Sequence, residues 1–288
     1  MNYRRYPHYQ WPSVCMEKID RLGWAAGFSI EGYGVIIGVR ASDPRVIGRL
    51  RQAVPYGVRQ SRRRRVDYLY SVVVGSTDRN ERPRRFHIAY SDLKRLTRTT
   101  DFDKVVEALE HDMPLEIGAR TRQWVFVHAG VVGLGGRALL LPGRSFAGKS
   151  TLVEGLVRAG ATYYSDEFAV LDREGRVHPF ARPLSRRAAG EFKGQPVPVA
   201  ELGGEVGTTP LPVAALVLTH FRAGARTRWR RLSPGQGVLG MMENAVAART
   251  RPEVVLPVVT RVAQQATVLK GVRGEAEGVV PRLVKLLE

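Results

Sequence analysis

The chain has 288 residues, of which 44% are hydrophobic, so it is long enough to bury one large core or two modest ones. No apolar run reaches the length that spans a bilayer, and no apolar segment follows the basic N-terminus, so we expect neither a membrane span nor a signal peptide. The single cysteine, Cys15, excludes an intrachain disulfide and a cysteine-based zinc site, and we expect a cytoplasmic protein.

The net charge of +18 comes from 45 basic and 27 acidic residues. A basic surface attracts polyanions such as nucleic acid, anionic lipid or an acidic peptide, although arginines can also simply cover a solvated face. Neither of the two arginine clusters lies in a recognisable nucleic-acid-binding motif, so a nucleic-acid partner is not expected. The clusters are Arg62 to Arg65, continued by Arg79, Arg82, Arg84 and Arg85, and then Arg222, Arg226, Arg228, Arg230 and Arg231 around Trp229.

Residues 1–26 are predicted to form a flexible arm, because Pro7 and Pro12 interrupt them. Residues 27–122 are predicted to form a small α+β subdomain. Its expected elements are a β-rich stretch over 28–40, a short helix capped by Asp43, strands over 68–74 and 86–90 joined by an exposed loop, and a helix from about Phe102, capped by Asp101 or Asp103. The residues expected on the buried stripe of that last helix are Val105, Val106, Leu109 and Leu115.

Residues 123–288 are predicted to form a second domain, of the α/β class. The pattern predicts a strand over 124–132, a turn at Gly133-Leu-Gly-Gly136 that leads back into a strand over 137–142, and then a helix that Gly160 ends. The remaining expected elements are a strand over 161–170, a hairpin turn over 172–175, a surface loop over 190–212, a strand over 213–218, helices over 235–249 and 253–264, a strand over 268–272 and a helix from about Glu275.

The segment 143–151 reads GRSFAGKST and matches the phosphate-binding loop pattern G-x-x-x-x-G-K-[ST] at every fixed position. Its glycines let backbone N–H groups wrap around phosphate oxygens, while Lys149 can reach the β- and γ-phosphates and Ser150 can ligate Mg²⁺. An apolar strand before the loop and a helix after it are the context that the motif requires. We therefore predict that ATP binds at Gly143, Arg144, Ser145, Phe146, Ala147, Gly148, Lys149, Ser150 and Thr151.

Three further residues are candidates for the same site. Asp166 and Glu167 end the strand that follows the loop helix, and neighbouring parallel strands end on the same edge of a sheet. An acid there can join Ser150 in the Mg²⁺ shell or take a proton from an attacking hydroxyl; it can also be an ordinary turn or cap residue. His128 interrupts an apolar strand, so it is either a hydrogen-bonded core residue or part of the site. The predicted catalytic residues are Asp166, Lys149 and His128, and the predicted metal ligands are Ser150, Asp166 and Glu167.

Together these segments resemble the catalytic domain of the HPr kinase/phosphorylase family. The resemblance rests on His128-Ala-Gly, the loop Gly143 to Ser150, Arg158-Ala-Gly-Ala161 and Ser165-Asp166-Glu167, and it covers about residues 124–190. It implies a P-loop kinase core related to that family and to phosphoenolpyruvate carboxykinase, with a mixed sheet around the nucleotide. It also implies ATP-dependent phosphorylation of a hydroxyl, with Asp166 as base and Ser150 on Mg²⁺.

The chain departs from the family pattern in two places. Glu167 stands where the family has a second Asp, and the Glu-Arg-Gly-x-Gly type of stretch downstream is replaced by residues 177–187. The chain thus looks more like the monofunctional HPr-kinase-like proteins, some of which modify peptides made by biosynthetic clusters. In that replacement Arg182, Arg186 and Arg187 either hold phosphate or an acidic acceptor, or form a solvated basic turn.

The sequence therefore predicts a kinase for a protein or peptide acceptor, which the basic surface suggests is acidic. The alternative is a nucleotide switch or ATPase without kinase activity, associated with nucleic acid. Assembly into a homo-oligomer stays open at this stage.

Overall fold

The computed structural model describes residues 19–63, 65–76, 85–143, 147–186 and 194–288. The chain divides into two compact units between Ile117 and Gly118, in the last turn of a helix; the prediction from the sequence starts the second domain at residue 123. Outside the described residues lie the predicted arm as far as residue 18 with Cys15, most of the predicted 74–86 loop with Arg79, Arg82 and Arg84, and also Arg64, residues 144–146 and Arg187.

The first unit is built on a six-stranded sheet in the order β3-β1-β2-β4-β5-β6. The β2–β4 pair is parallel and the other neighbours are antiparallel. The strands are β1 (Ala26–Gly32), β2 (Val35–Ala41), β3 (Arg59–Ser61), β4 (Tyr68–Val73), β5 (His87–Ser91) and β6 (Lys94–Thr99).

Helical segments complete this unit. Helix α1 (Ile47–Leu50) follows a 3₁₀ turn at Pro44–Val46 whose first free N–H, on Arg45, donates to the Asp43 side chain at 2.9 Å, which confirms the predicted cap. A second 3₁₀ turn, Arg51–Ala53, follows α1. Helix α2 spans Phe102–Arg120.

The predicted buried stripe of α2 is partly wrong. Val105 and Leu109 are fully buried, but Val106 and Leu115 are only partly buried. The buried residues at helical spacing are Phe102, Val105, Leu109, Met113 and Ile117. Because each residue turns the helix by about 100°, Val106 points away from a stripe that Val105 already occupies.

The second unit contains an eight-stranded mixed sheet in the order β11-β10-β7-β8-β14-β16-β15, with β9 also paired to β7. Its strands are β7 (Val125–Leu134), β8 (Arg137–Pro142), β9 (Thr162–Ser165), β10 (Phe168–Leu171), β11 (Arg176–His178), β14 (Leu211–Phe221), β15 (Arg228–Arg231) and β16 (Thr267–Arg273). A separate two-stranded sheet joins β12 (Leu184–Arg186) to β13 (Gln195–Val197).

Helices cover both faces of this sheet: α3 (Lys149–Arg158), α4 (Pro234–Met242), α5 (Pro252–Gln265) and α6 (Ala276–Leu287). Along β8 the buried side chains alternate between two cores. Leu140 joins the core that includes α4 and α5, and Leu139 and Leu141 join the core that includes α3 and α6. The structure is therefore a mixed α/β protein. No helix among the described residues is both long and apolar enough to span a membrane.

The predicted hairpin before the loop is confirmed, because β7 and β8 pair antiparallel with Leu134 opposite Arg137. The two residues between them, Gly135 and Gly136, have φ of 57° and 73°. Positive φ at both central residues defines the tight turn that fits the twist of paired strands, and glycine adopts it without strain.

Three predictions for this unit need correction. The strand over 161–170 is two strands, β9 and β10, broken at Asp166 and Glu167. The predicted surface loop over 190–212 contains β13 and a 3₁₀ turn, Val199–Leu202, because Val197, Val199 and Leu202 are buried as apolar anchors between the glycines and prolines.

The third correction is that the helix predicted over 235–249 ends at Met242. Beyond it the chain leaves the helix to bond to β7: the His128 N–H donates to the Asn244 carbonyl at 2.9 Å, and the Val246 N–H donates to Phe126 at 2.9 Å. Pairing with a distant strand overrides the helical pattern of the sequence.

Candidate functional site

The glycine-rich loop lies between β8 and α3, so the strand before it and the helix after it are both present. Gly143 follows β8 directly, and Lys149 is the first residue of α3. Gly148 precedes the helix with φ 77° and ψ 21°, a left-handed conformation that favours glycine. The loop residues Arg144, Ser145 and Phe146 lie outside the described residues.

Lys149 ties the two ends of this loop together. Its Nζ donates a hydrogen bond to the Gly143 carbonyl at 2.8 Å. The Gly143 N–H in turn donates to the His128 carbonyl on β7 at 3.1 Å. The lysine charge therefore lies at the N-terminal end of α3, where the helix already presents unpaired N–H groups and partial positive charge.

Asp166 lies in contact with the start of α3. Its Oδ2 accepts hydrogen bonds from Ser150 Oγ at 3.0 Å and from the Ser185 N–H at 3.2 Å. Its Oδ1 lies 3.0 Å from the Tyr163 hydroxyl, whose single proton is shared between this oxygen and the Arg182 carbonyl at 2.9 Å. Burial, and then the Asp166 carboxylate, raise the pKa of Tyr163, so the phenol stays a protonated donor. Both carboxylate oxygens are thus held in place, one of them against Ser150.

The strand order that we expected to bring Asp166 close to the loop is only partly right. The strand that ends at Ser165, β9, does not neighbour β8, since both pair antiparallel with β7, which lies between them. Two strands antiparallel to the same strand are parallel to each other. The loop and the acid therefore still follow the same edge of the sheet, one strand further apart than predicted.

Glu167 has a different partner. Its Oε2 accepts from Arg182 Nη1 at 2.7 Å, while its backbone carbonyl accepts from the Ala129 N–H of β7 at 3.1 Å. No group of three or more His, Cys, Asp or Glu side chains that could hold a metal occurs among the described residues. Magnesium at a phosphate site needs fewer protein ligands, usually one or two carboxylates beside phosphate oxygens and water. Ser150 and Asp166 fit such a site, whereas Glu167 is engaged by Arg182.

His128 lies on β7 beside these groups. In the β7–β10 pairing it stands opposite Phe168, and the two rings stack with centroids 4.5 Å apart. Burial, and to a smaller extent the positive charge of Lys149, lowers the pKa of His128 from 6.5 to about 4. The imidazole is therefore neutral at neutral pH, and it adds no positive charge to the site there.

Sequence reasoning missed Tyr163 and Arg273. Arg273 ends β16 and is 2% exposed, and its Nη2 donates to the Gly148 carbonyl at 2.8 Å. The strands β8, β14 and β16 run parallel, so their carboxyl ends meet at the loop. The available signal was a single arginine directly after the predicted strand over 268–272.

The predicted basic turn is paired with acids where the structure describes it. Arg182 binds Glu167, and Arg186 Nη2 lies 2.6 Å from Oε1 of Glu154 on α3.

The second arginine cluster contains a strand that was not predicted. Strand β15 pairs with β16 at the edge of the sheet and exposes Arg228, Arg230 and Arg231, while Trp229 packs towards the core of α3 and α6.

Comparison with known proteins adds no relative. No protein-family model matches the chain, and no curated protein matches it significantly. The fold and site define a mixed α/β protein with a strand, a glycine-rich loop and a helix at one end of its sheet.

Proposed function

We propose that this chain binds Mg-ATP at residues 143–151 and transfers the γ-phosphoryl group to a hydroxyl of a protein or peptide acceptor, using a P-loop core of the HPr kinase/phosphoenolpyruvate carboxykinase type. The 3.0 Å hydrogen bond between Ser150 and Asp166 is the observation that supports this most strongly. In the loop motif this serine is the Mg²⁺ ligand. A chance glycine turn would not require a carboxylate at that hydroxyl.

The nucleotide would be held by charge and backbone donors. The N-terminal end of α3 and Lys149 supply positive potential where the phosphates would lie, and the left-handed Gly148 shapes the last turn of the loop. Ser150 and Asp166 would hold Mg²⁺, which when bound neutralises phosphate charge as it builds up. Most of the rate enhancement would then come from positioning and from electrostatic stabilisation.

Asp166 would act on the acceptor. Its carboxylate is oriented by Tyr163, Ser150 and the Ser185 N–H, so little reorganisation is needed when an acceptor hydroxyl approaches. The acceptor oxygen forms a bond to the γ-phosphorus as the bond to the ADP oxygen breaks, and the hydroxyl proton passes to Asp166. His128, neutral beside Lys149, would contribute a hydrogen-bonding group rather than a charge.

The exposed arginines of β15 support an acidic acceptor. In the β15–β16 pairing Arg228 stands opposite Val272, the residue before Arg273. This basic strand is the edge of the sheet, separated from β8 and its loop by β14 and β16, and its Arg228 end lies at the same end of the sheet as Arg273. An acidic segment along this edge would be attracted without a dedicated pocket.

One observation favours the alternative, a nucleotide switch or ATPase without an acceptor. Arg182 and Arg186, which could have held an acceptor or its phosphate, are instead paired with Glu167 and Glu154. In such a protein the same loop would bind ATP, and water would replace the acceptor hydroxyl.

The first test is nucleotide binding by wild type, Lys149→Ala and Lys104→Ala. Lys104 is a matched control because it is an exposed lysine in the first turn of α2. We expect ATP with Mg²⁺ to stabilise wild type and Lys104→Ala against heat, and Lys149→Ala to lose this effect. Unchanged ATP affinity of Lys149→Ala in calorimetry would disprove the assignment of the loop.

A further inference from the structure

Arg273 is a buried guanidinium that contacts the loop from behind. It is 2% exposed, and it bonds to carbonyl oxygens: Nη2 to Gly148 at 2.8 Å and Nη1 to Gly274 at 3.0 Å. Its third nitrogen, Nε, is buried and has no hydrogen-bond partner among the described residues. One N–H donor of the guanidinium group is therefore buried without a hydrogen-bond acceptor among the described residues.

The positive charge of Arg273 faces one aromatic ring, because its guanidinium carbon lies 5.1 Å from the centre of the Phe221 ring. No carboxylate forms an ion pair with it within the part of the chain that the structure describes. Glu275 follows closely in the sequence but is exposed, and burial lowers the pKa of Arg273 despite the opposing effect of that acid. An arginine keeps its proton under such conditions, and a buried charge without an anionic partner is costly.

The loop is built to accommodate this guanidinium. A Cβ atom at Gly148 would collide with Nη2 of Arg273. The Gly148 carbonyl that Arg273 binds also accepts the first hydrogen bond of α3, from the Leu152 N–H at 3.4 Å. The glycine of the motif thus leaves room for a cation at the residue where the helix begins.

We propose that the buried positive charge of Arg273, held behind the loop by the Gly148 carbonyl, is matched by the polyphosphate of a bound nucleotide and raises the affinity of the loop for it. The inference rests on the proposed function, because it requires an anion in the loop. Lys149 and the α3 N-terminus present positive charge on the same segment, and Arg273 adds a third source that the loop motif does not include. The consequence is that affinity rises steeply with the negative charge of the ligand, and that Arg273 accounts for part of this rise.

The test compares ligands of increasing charge on matched variants. Dissociation constants for AMP, ADP, ATP and inorganic tripolyphosphate are measured by calorimetry on wild type, Arg273→Met and Arg273→Lys. We expect Arg273→Met to weaken ATP binding by about 10- to 100-fold, the range for a unit charge acting over several ångströms in a partly buried site, and AMP binding by much less. Arg273→Lys keeps the charge and should keep most of the discrimination between ATP and AMP.

Arg251→Met is the control for a purely structural loss. The Arg251 guanidinium also bonds only to carbonyls, those of Ala119, Arg120 and Thr121, but it does so at the end of α2 rather than at the loop. Its removal should lower the thermal midpoint and leave the ratio of ATP to AMP affinity unchanged.

The outcomes separate the two proposals. If wild type binds ATP and Arg273→Met keeps the wild-type ratio of ATP to AMP affinity, the role of Arg273 is disproved and the proposed function stands. If wild type binds neither ATP nor tripolyphosphate, both proposals fail. Should Arg273→Met not fold, Arg273→Gln takes its place, and equal ratios in Arg273→Gln and Arg273→Lys would refute the role of the charge.

Discussion

Two carboxylates, Asp112 in the first unit and Asp166 in the second, each accept hydrogen bonds from one tyrosine and one serine hydroxyl. In Asp112 both hydroxyls bond to the same oxygen, whereas in Asp166 each bonds to a different oxygen and the Ser185 N–H adds a third bond. The donors are Tyr70 (2.9 Å) and Ser91 (2.6 Å) to Asp112, and Tyr163 (3.0 Å) and Ser150 (3.0 Å) to Asp166. In both pairs the tyrosine is fully buried and its pKa is raised, first by burial and then by the carboxylate.

The surroundings of the two acids differ. Asp112 lies in the interior of α2, and Glu116 on the next turn adds negative charge near Tyr70. Asp166 lies in a break between two strands, in contact with the start of a helix, with Lys149 in the adjacent position of that helix. Asp166, the proposed catalytic acid, thus differs from Asp112 in backbone position, in the sign of the neighbouring charge and in the bond from the Ser185 N–H.

The largest effect that separates the two acids is expected on catalysis. Asp166→Asn should keep ATP binding but lower transfer from γ-labelled ATP to acidic serine peptides by about 10²- to 10⁴-fold, the usual contribution of a general base. Asp112→Asn, the matched variant, should leave transfer unchanged. If Asp166→Asn retains transfer but loses Mg²⁺ binding, Asp166 is a metal ligand only.

The next effect concerns the pH at which His128 becomes protonated. Because the pKa of His128 is lowered from 6.5 to about 4 in the folded protein, the unfolded chain binds more protons between these values. The contribution of His128 to the free energy of unfolding is therefore fully present above pH 6.5 and is lost as the pH falls towards 4. This loss of unfolding free energy is about 3 kcal/mol at most, at 1.36 kcal/mol per pKa unit.

This is measured as the free energy of unfolding by urea between pH 4 and 7, for wild type and His128→Gln. The variant should show a shallower loss of stability on acidification than wild type. Parallel curves for the two proteins would mean that Lys149 and the packing against Phe168 do not hold the imidazole neutral.

A smaller effect is expected when the structural acid is removed. Asp112→Ala leaves the buried Tyr70 hydroxyl without its acceptor, which costs about 1–3 kcal/mol of unfolding free energy, less a few tenths regained from the helix propensity of alanine. The midpoint of urea denaturation checks this. Nucleotide affinity should not change, and a change in ATP binding would show that Asp112 is not confined to a structural role.

The smallest effect on stability is expected at the basic edge. Replacing Arg228 and Arg230 by Ala should change unfolding free energy by less than about 0.5 kcal/mol, since both are exposed. It should weaken binding of an acidic peptide in a salt-dependent way, whereas Arg62→Ala with Arg63→Ala should not. Micromolar DNA or RNA binding that persists at physiological salt and responds to ATP would instead favour the nucleotide switch.

The sequence predicts best what is decided locally. The strand before the loop, the helix from Lys149 and the turn at Gly135 and Gly136 each follow from a few adjacent residues, and the structure has all of them. The placement of Asp166 near Ser150 also follows from the predicted strand order, but the position of β7 between β8 and β9 does not. No local pattern shows that a strand earlier in the sequence will lie between two later strands.

Errors arise where distant segments determine the conformation. Residues after Met242 leave their helix because Phe126 and His128 offer backbone bonds, and β15 forms because β16 is beside it. Tyr163 was part of a predicted strand, yet only the fold shows that its hydroxyl reaches Asp166. Arg273 is separated from Gly148 by most of the unit, so only the parallel order of β8, β14 and β16 brings them together.

Two consecutive residues of β7 connect three separate segments of the site. His128 accepts from the Gly143 N–H at 3.1 Å and donates to Asn244 at 2.9 Å, while the Ala129 N–H donates to Glu167 at 3.1 Å. The start of the loop, the acid pair and the end of α4 are thus anchored at one point of one strand. In native-state hydrogen exchange these amides should open as a single cooperative unit, and a ligand that protects Gly143 should slow exchange at Ala129 as well.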